Sequence, residues 1–212
     1  MTLNAVLDIV LHLNLYVGTL LDQYGSIMYP LLMLIIFSET GLVIAPFLPG
    51  DSLLFATGLA ISTSTHNIYI LVVLIITAAF LGDNTNYWIG RLFGRKLFVA
   101  YPRVFKWEYL EKTEHFYAKY GPTAIVMARF VPLMRTFIPF FAGLSKMVYS
   151  HYLLFSIMSA TLWVCLLTLS GYYFGNVPFV QNHFSLVILG LIVVSLIPTM
   201  CAILAQLRKK SA

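Results

Sequence analysis

Apolar runs fill most of the chain, and the places where they break define its elements. Residues 3–21 are apolar but interrupted by Asn4, Asp8, His12 and Asn14. That pattern predicts an N-terminal amphipathic, interfacial segment over 1–25 rather than a span. After the polar break Asp22–Ser26, residues 27–47 form a long apolar run and 52–62 a shorter one, with Pro46 at the end of the first and Pro49 and Gly50 between the two. The second run is near half of the roughly 20 residues a spanning helix needs. A helix–break–helix hairpin over 27–62, entering and leaving on one side, fits both features. Such backbone is tolerated at membrane depth only where protein or water covers it. Residues 68–90 read as a full span with Asp83, Asn84 and Asn86 in its second half. Residues 91–119 are basic and predict a surface helix with charge pairs such as Glu108–Lys112. The broken pattern then returns over 122–144, which holds Pro132, Pro139, Arg129 and Arg135. Spans follow at 152–174 and 184–205, and 206–212 is a basic tail.

Charge placement orders these elements across a membrane. The stretch 91–119 and the tail both carry Lys and Arg, so both belong on the cytoplasmic side. Two spans separate the second broken segment from the tail, a parity that works only if 122–144 does not cross. The predicted fold is an all-α polytopic membrane protein, an inverted repeat of re-entrant helical hairpin plus spanning helices, with one membrane domain over 26–205. Phe47-x-Pro49 with Gly58-Leu59, and Phe130-x-Pro132 with Gly143-Leu144, echo each other in the two halves. Broken apolar segments at matching places point to a transport site near the midplane.

Composition supports the membrane reading. Of 212 residues 60% are hydrophobic and 10% charged, against about 25% charged in soluble domains. The net charge of +5 sits at membrane flanks, which argues for topology and against nucleic acid. The opening residues lack a basic n-region and a cleavage site, so no cleaved leader is expected. Cys165 and Cys201 lie in apolar runs without metal-ligand spacing. Neither a metal nor a cofactor is expected. No nucleophile elbow, zinc-protease, P-loop or dinucleotide motif is present, so the chain is read as not an enzyme.

The candidate chemistry lies in the charges inside the greasy runs. A charge at membrane depth costs roughly 2.5–3.5 kcal/mol on the lenient scale. Glu39 and Asp51 are candidates for proton coupling, since a carboxylate in a low-dielectric pocket can take up and release a proton. On one straight helix they would lie about 18 Å apart, which the break at 45–50 can shorten. Asp51 also reads as an N-cap for the helix 52–62. Arg129 and Arg135 are candidates for binding the phosphate of a lipid headgroup, which the planar guanidinium fork suits. Internal pairing with Glu39 and Asp51 is the alternative, and both can hold at different points of one cycle. Asp83, Asn84 and Asn86 are read as supporting polar residues, with helix-packing hydrogen bonds as the plainer account.

Together these residues carry a resemblance. Glu39-Thr-Gly, Phe47-Leu-Pro-Gly-Asp51, Gly82-Asp83 with Asn86-Tyr87 and Gly90-Arg91, then Ala128-Arg129-Phe130-x-Pro132-x-x-Arg135-Thr136 and Ala142-Gly143 resemble the DedA family. That is the bacterial branch of the superfamily sharing the VTT (SNARE-associated) domain. The resemblance runs from about residue 20 to 205. It implies an inner-membrane, multi-pass protein with opposed re-entrant hairpins and a cytoplasmic C-terminus. It also implies translocation of undecaprenyl phosphate or phospholipid driven by proton-motive force, in support of envelope integrity, with the essential charges on Glu39, Asp51, Arg129 and Arg135. The expected partners are a lipid phosphate, the bilayer and protons, and nothing excludes a homo-oligomer. The competing readings are a proton-coupled small-solute or cation transporter and a non-transporting membrane scaffold.

Overall fold

The computed structural model describes residues 25–41, 50–62, 64–100, 121, 123–175 and several positions between 177 and 190. Among them all regular structure is helical. A 3-10 turn, Gly25–Ile27, leads into α1, Met28–Gly41; α2 is Gly50–Ser62, α3 Ile68–Ala100, α4 Thr123–Arg129, α5 Pro132–Leu144 and α6 Tyr149–Phe174. The N-terminal segment, Pro46, Pro49, the pair Glu108–Lys112, the predicted span 184–205 as a whole, and the tail lie outside the described residues.

Length sorts the helices into two kinds. The apolar stretches Ile68–Gly94 and Tyr149–Phe174, 27 and 26 residues, are each about 40 Å long at 1.5 Å per residue. Either is long and apolar enough to cross a hydrocarbon core of about 30 Å. α1, α2 and α5, with 14, 13 and 13 residues, reach only about 20 Å each. The side-chain distribution departs from that of a soluble domain. Glu39, Asp83, Asn86, Arg129 and Arg135 are buried, while Leu34, Ile70, Val73, Leu92, Leu154 and Leu166 face outward. Large outward apolar surface around buried charge suits a hydrocarbon surrounding.

Three sequence expectations change. α3 continues unbroken to Ala100, so residues 91–100 extend the long helix rather than opening a separate surface helix. Arg, Lys, Leu and Ala favour helix, and no proline comes before Pro102. Pro139 lies inside α5 and does not break it. The break in 122–144 falls at residues 130–131, where Val131 is extended with φ −113 and ψ 110 before Pro132. A residue preceding proline is driven out of the helical region. Finally, α2 starts at Gly50, which places Asp51 within its first turn rather than at the cap.

The chain divides into two compact units. In the first, comprising 1–34, 48–75 and 162–212, α2 packs against the end of α6 through glycines. A Cβ on Gly58 would lie 2.0 Å from the Thr168 carbonyl oxygen, and one on Gly171 2.1 Å from that of Phe55. Only a bare Cα fits at such backbone contact. One turn on, Gly175 meets Leu59. In the same unit the Tyr29 ring meets His66 edge-on at 5.9 Å.

In the second unit, 35–47 and 76–161, α5 packs on α3 in the same register. A Cβ on Gly143 would lie 1.9 Å from the Tyr87 carbonyl oxygen, one on Gly90 2.0 Å from that of Phe140, and Gly94 meets Leu144. The two contacts match position by position. Each short-helix glycine faces a carbonyl three residues before a long-helix glycine, and the long-helix glycine returns the same relation. The end of α1 reaches α3 at another glycine, where a Cβ on Gly82 would strike Thr40 Oγ1 at 2.0 Å. Tyr87, Ile125, Ala128, Ile138, Ala142 and Tyr152 form a core, with the Tyr87 and Tyr152 rings stacked at 4.4 Å.

Candidate functional site

Four short stretches of the second unit bring charge together. Glu39 lies in the last turn of α1, Asp83 within α3, Arg129 at the end of α4 and Arg135 in the first turn of α5. Their exposures are 0%, 2%, 5% and 7%. Arg129 suits its place, since the carbonyl end of a helix favours a cation. The 130–131 break lets the chain turn between the two arginines, with the Val131 amide donating to the Ala128 carbonyl at 3.0 Å.

The guanidinium groups pair with two different carboxylates. Arg135 Nη2 donates to Glu39 Oε1, and Arg129 Nη1 donates to Asp83 Oδ2. Both pairs are charge-assisted and almost fully buried, so removing one partner would leave an uncompensated charge. Asp83 is tied to α6 as well. Ser156 Oγ donates to its Oδ2 at 3.0 Å, and Tyr152 Oη donates to its main-chain carbonyl at 2.8 Å.

Asn86, one turn beyond Asp83, clamps the segments that carry the other pair. Its Nδ2 donates to the Thr136 carbonyl at 2.6 Å and to the Thr40 carbonyl at 3.4 Å. Those carbonyls belong to the residues immediately after Arg135 and Glu39. Two acceptors on one side fix which end of the amide is nitrogen. Pro139 has no N–H to give the carbonyl four residues back, so the α5 ladder is already loosened beside Thr136. Asn84 plays a different part. It donates to its own helix at Phe80 and accepts from Tyr149 Oη at 2.8 Å, linking α3 to α6.

The expected carboxylate–guanidinium contact is therefore present between Glu39 and Arg135. Asp83, read from the sequence as support, pairs with Arg129. Asp51 belongs to the first unit, where its Oδ1 accepts from Trp163 Nε1 at 3.0 Å. Tyr152 and Ser156 were not singled out from sequence. The available signal was a polar stripe, Tyr152, Ser156 and Ser159, along one face of an apolar helix. Among the described residues no group of three His, Cys, Asp or Glu could hold a metal ion.

Comparison with known proteins shows the family. The VTT domain model matches residues 48–173, more than half of the chain. Protein DedA of Escherichia coli (strain K12) is 47% identical over 206 residues, covering 96% of this chain and 94% of that one. The chain belongs to the DedA family of VTT-domain membrane proteins. Another relative, an uncharacterized membrane protein of Mycobacterium leprae (strain TN), is 44% identical over 180 residues, 84% of this chain and 81% of its own. Inner membrane protein YqjA of Escherichia coli (strain K12) is 35% identical over 159 residues, 72% of this chain and 70% of that one. No solved structure matches the chain significantly. As a DedA-family protein the chain acts at a membrane, with Glu39, Asp83, Arg129 and Arg135 buried in one apolar helical unit.

Proposed function

We propose that this DedA-family protein is a lipid transporter of the bacterial inner membrane. It moves a lipid phosphate, undecaprenyl phosphate or a phospholipid, across the bilayer with proton coupling. The observation that carries the reading is the pair of buried guanidinium–carboxylate contacts in one apolar unit. Structural support alone is poorly served by such pairs, because desolvation offsets most of their attraction. Ion chemistry at membrane depth is better explained as a substrate or proton path. Arg135 and Arg129 are the phosphate ligands. Glu39 holds Arg135 when ionised and releases it when protonated, so proton uptake frees the fork for phosphate. Asp51 serves as a second proton-coupling carboxylate, with the Trp163 indole as one of its donors.

The same reading takes 27–62 and 122–144 as opposed re-entrant hairpins and places the C-terminus in the cytoplasm. The short lengths of α1, α2 and α5 support the hairpins, and the repeated glycine register supports the inverted repeat. Inner membrane protein YqjA, by its name, supports the location. Purified protein in liposomes tests the coupling. Glu39→Gln, inserted and folded, loses flux driven by a pH gradient. Normal flux of Glu39→Gln at every imposed gradient removes the carboxylate from the mechanism.

A further inference from the structure

Asp83 is the anion in contact with the Arg129 guanidinium. Its carboxylate and that guanidinium are 2% and 5% exposed and in contact. Asp83 is held in place on two sides, by Ser156 on its carboxylate and by Tyr152 on its main chain. Arg129 is held differently. It ends a helix of seven residues, α4, and the break at 130–131 follows directly. Its charge rides on a long stem of rotatable bonds. A phosphate bound to Arg129 and an ionised Asp83 beside it would be two anions sharing one buried cation, which repel.

We infer that Asp83 is the competing anion that a phosphate displaces from Arg129. It acts as a positioning residue that keeps the site from holding its lipid phosphate too tightly. The inference rests on Arg129 being a phosphate ligand, as proposed above. A buried guanidinium with no competitor binds phosphate and keeps it, and a transporter must also let go. Asp83 returns to Arg129 as the phosphate leaves, so the guanidinium is neutralised at both ends of the exchange. Ser156 supplies a hydroxyl that serves the carboxylate in one state and is in reach of the same locus in the other.

The test uses the full chain in detergent, with farnesyl phosphate as probe and farnesol and inorganic phosphate as controls. Asp83→Asn keeps the shape and removes the charge. It leaves Arg129 buried beside a neutral amide, which lowers the melting temperature. Farnesyl phosphate is expected to bind this variant at least about tenfold more tightly than wild type and to raise its Tm by a larger step, while farnesol does neither. Inorganic phosphate giving the same gain identifies free phosphate as sufficient; a gain with farnesyl phosphate alone identifies a lipid phosphate. In an Arg129→Gln background the Asp83→Asn gain disappears. Lipid flux by Asp83→Asn falls, because release slows. Equal or weaker binding by Asp83→Asn, with wild type binding normally, overturns the inference and leaves the transport reading standing. Absence of binding by both proteins overturns the transport reading and the inference with it. If Asp83→Asn does not fold alone, Asp83→Ser is measured the same way. Failure of farnesyl phosphate to recover either variant counts against the inference, since a displaced anion demands that rescue.

Discussion

Replacing Asn86 with leucine, nearly the same size but without polar atoms, removes the donor that joins α1 and α5 through α3. The loss can be worked from its contacts. The 2.6 Å bond to Thr136 and the weaker 3.4 Å bond to Thr40 each contribute about 0.5–1.5 kcal/mol net. Against that, Asn86 Oδ1 is itself buried and takes no hydrogen bond among the described residues, so deleting it offsets part of the cost. The expected destabilisation is about 1–3 kcal/mol, a large share of a typical stability of 5–15 kcal/mol. Transport should suffer beyond stability, because both lost contacts lie one residue from the Glu39–Arg135 pair. At a temperature where the protein stays folded, lipid flux in proteoliposomes should fall at least about tenfold, or 1.4 kcal/mol of productive geometry. Asn84→Leu is the control. It loses polar contacts on the same helix, to Phe80 and Tyr149, but none to the segments bearing Glu39 and Arg135. It should lose stability and keep its flux. Equal flux loss in both variants, corrected for folded protein, would refute the clamp.

Gly143→Ala should destabilise by about 1–3 kcal/mol, the range for overpacking, because its Cβ would meet the Tyr87 carbonyl at 1.9 Å. Gly190→Ala, with nothing within 4 Å among the described residues, should be neutral in the same denaturation assay. Arg135→Lys keeps the charge and loses the fork; flux of lipid phosphate should drop at least about tenfold, whereas a cation or small-solute transporter would tolerate it. Trp163→Phe removes an indole donor to Asp51 and should lower stability by about 1–2 kcal/mol, read as a drop in Tm.

Much of this was legible in the sequence because the membrane makes charge conspicuous. Glu39 and Arg135 stand out in apolar runs, and their contact follows from the need to compensate both. The pairing of Arg129 with Asp83 was not legible, since partners are set by how α4 meets α3 in space. Asp83 also sits in a cluster with Asn84 and Asn86, where helix-packing hydrogen bonds are the common explanation. Asn86 gave no sign of its double contact, because an amide can bond in either direction. The break in 122–144 was placed at its prolines. The structure puts it at 130–131, since Pro132 opens a helix comfortably and Pro139 is carried inside one. The Gly58 and Gly143 echo was visible as text, but its meaning lay in the carbonyls of Thr168 and Tyr87, far along the chain.

The most direct measurement places purified wild-type protein in liposomes and follows the accessibility of a labelled lipid phosphate from outside, with and without a pH gradient. The account predicts movement of the lipid phosphate that quickens under the gradient and fails in Arg129→Gln and Arg135→Gln. Lipid phosphate that stays on its own side, in liposomes whose protein is folded and inserted, would contradict it.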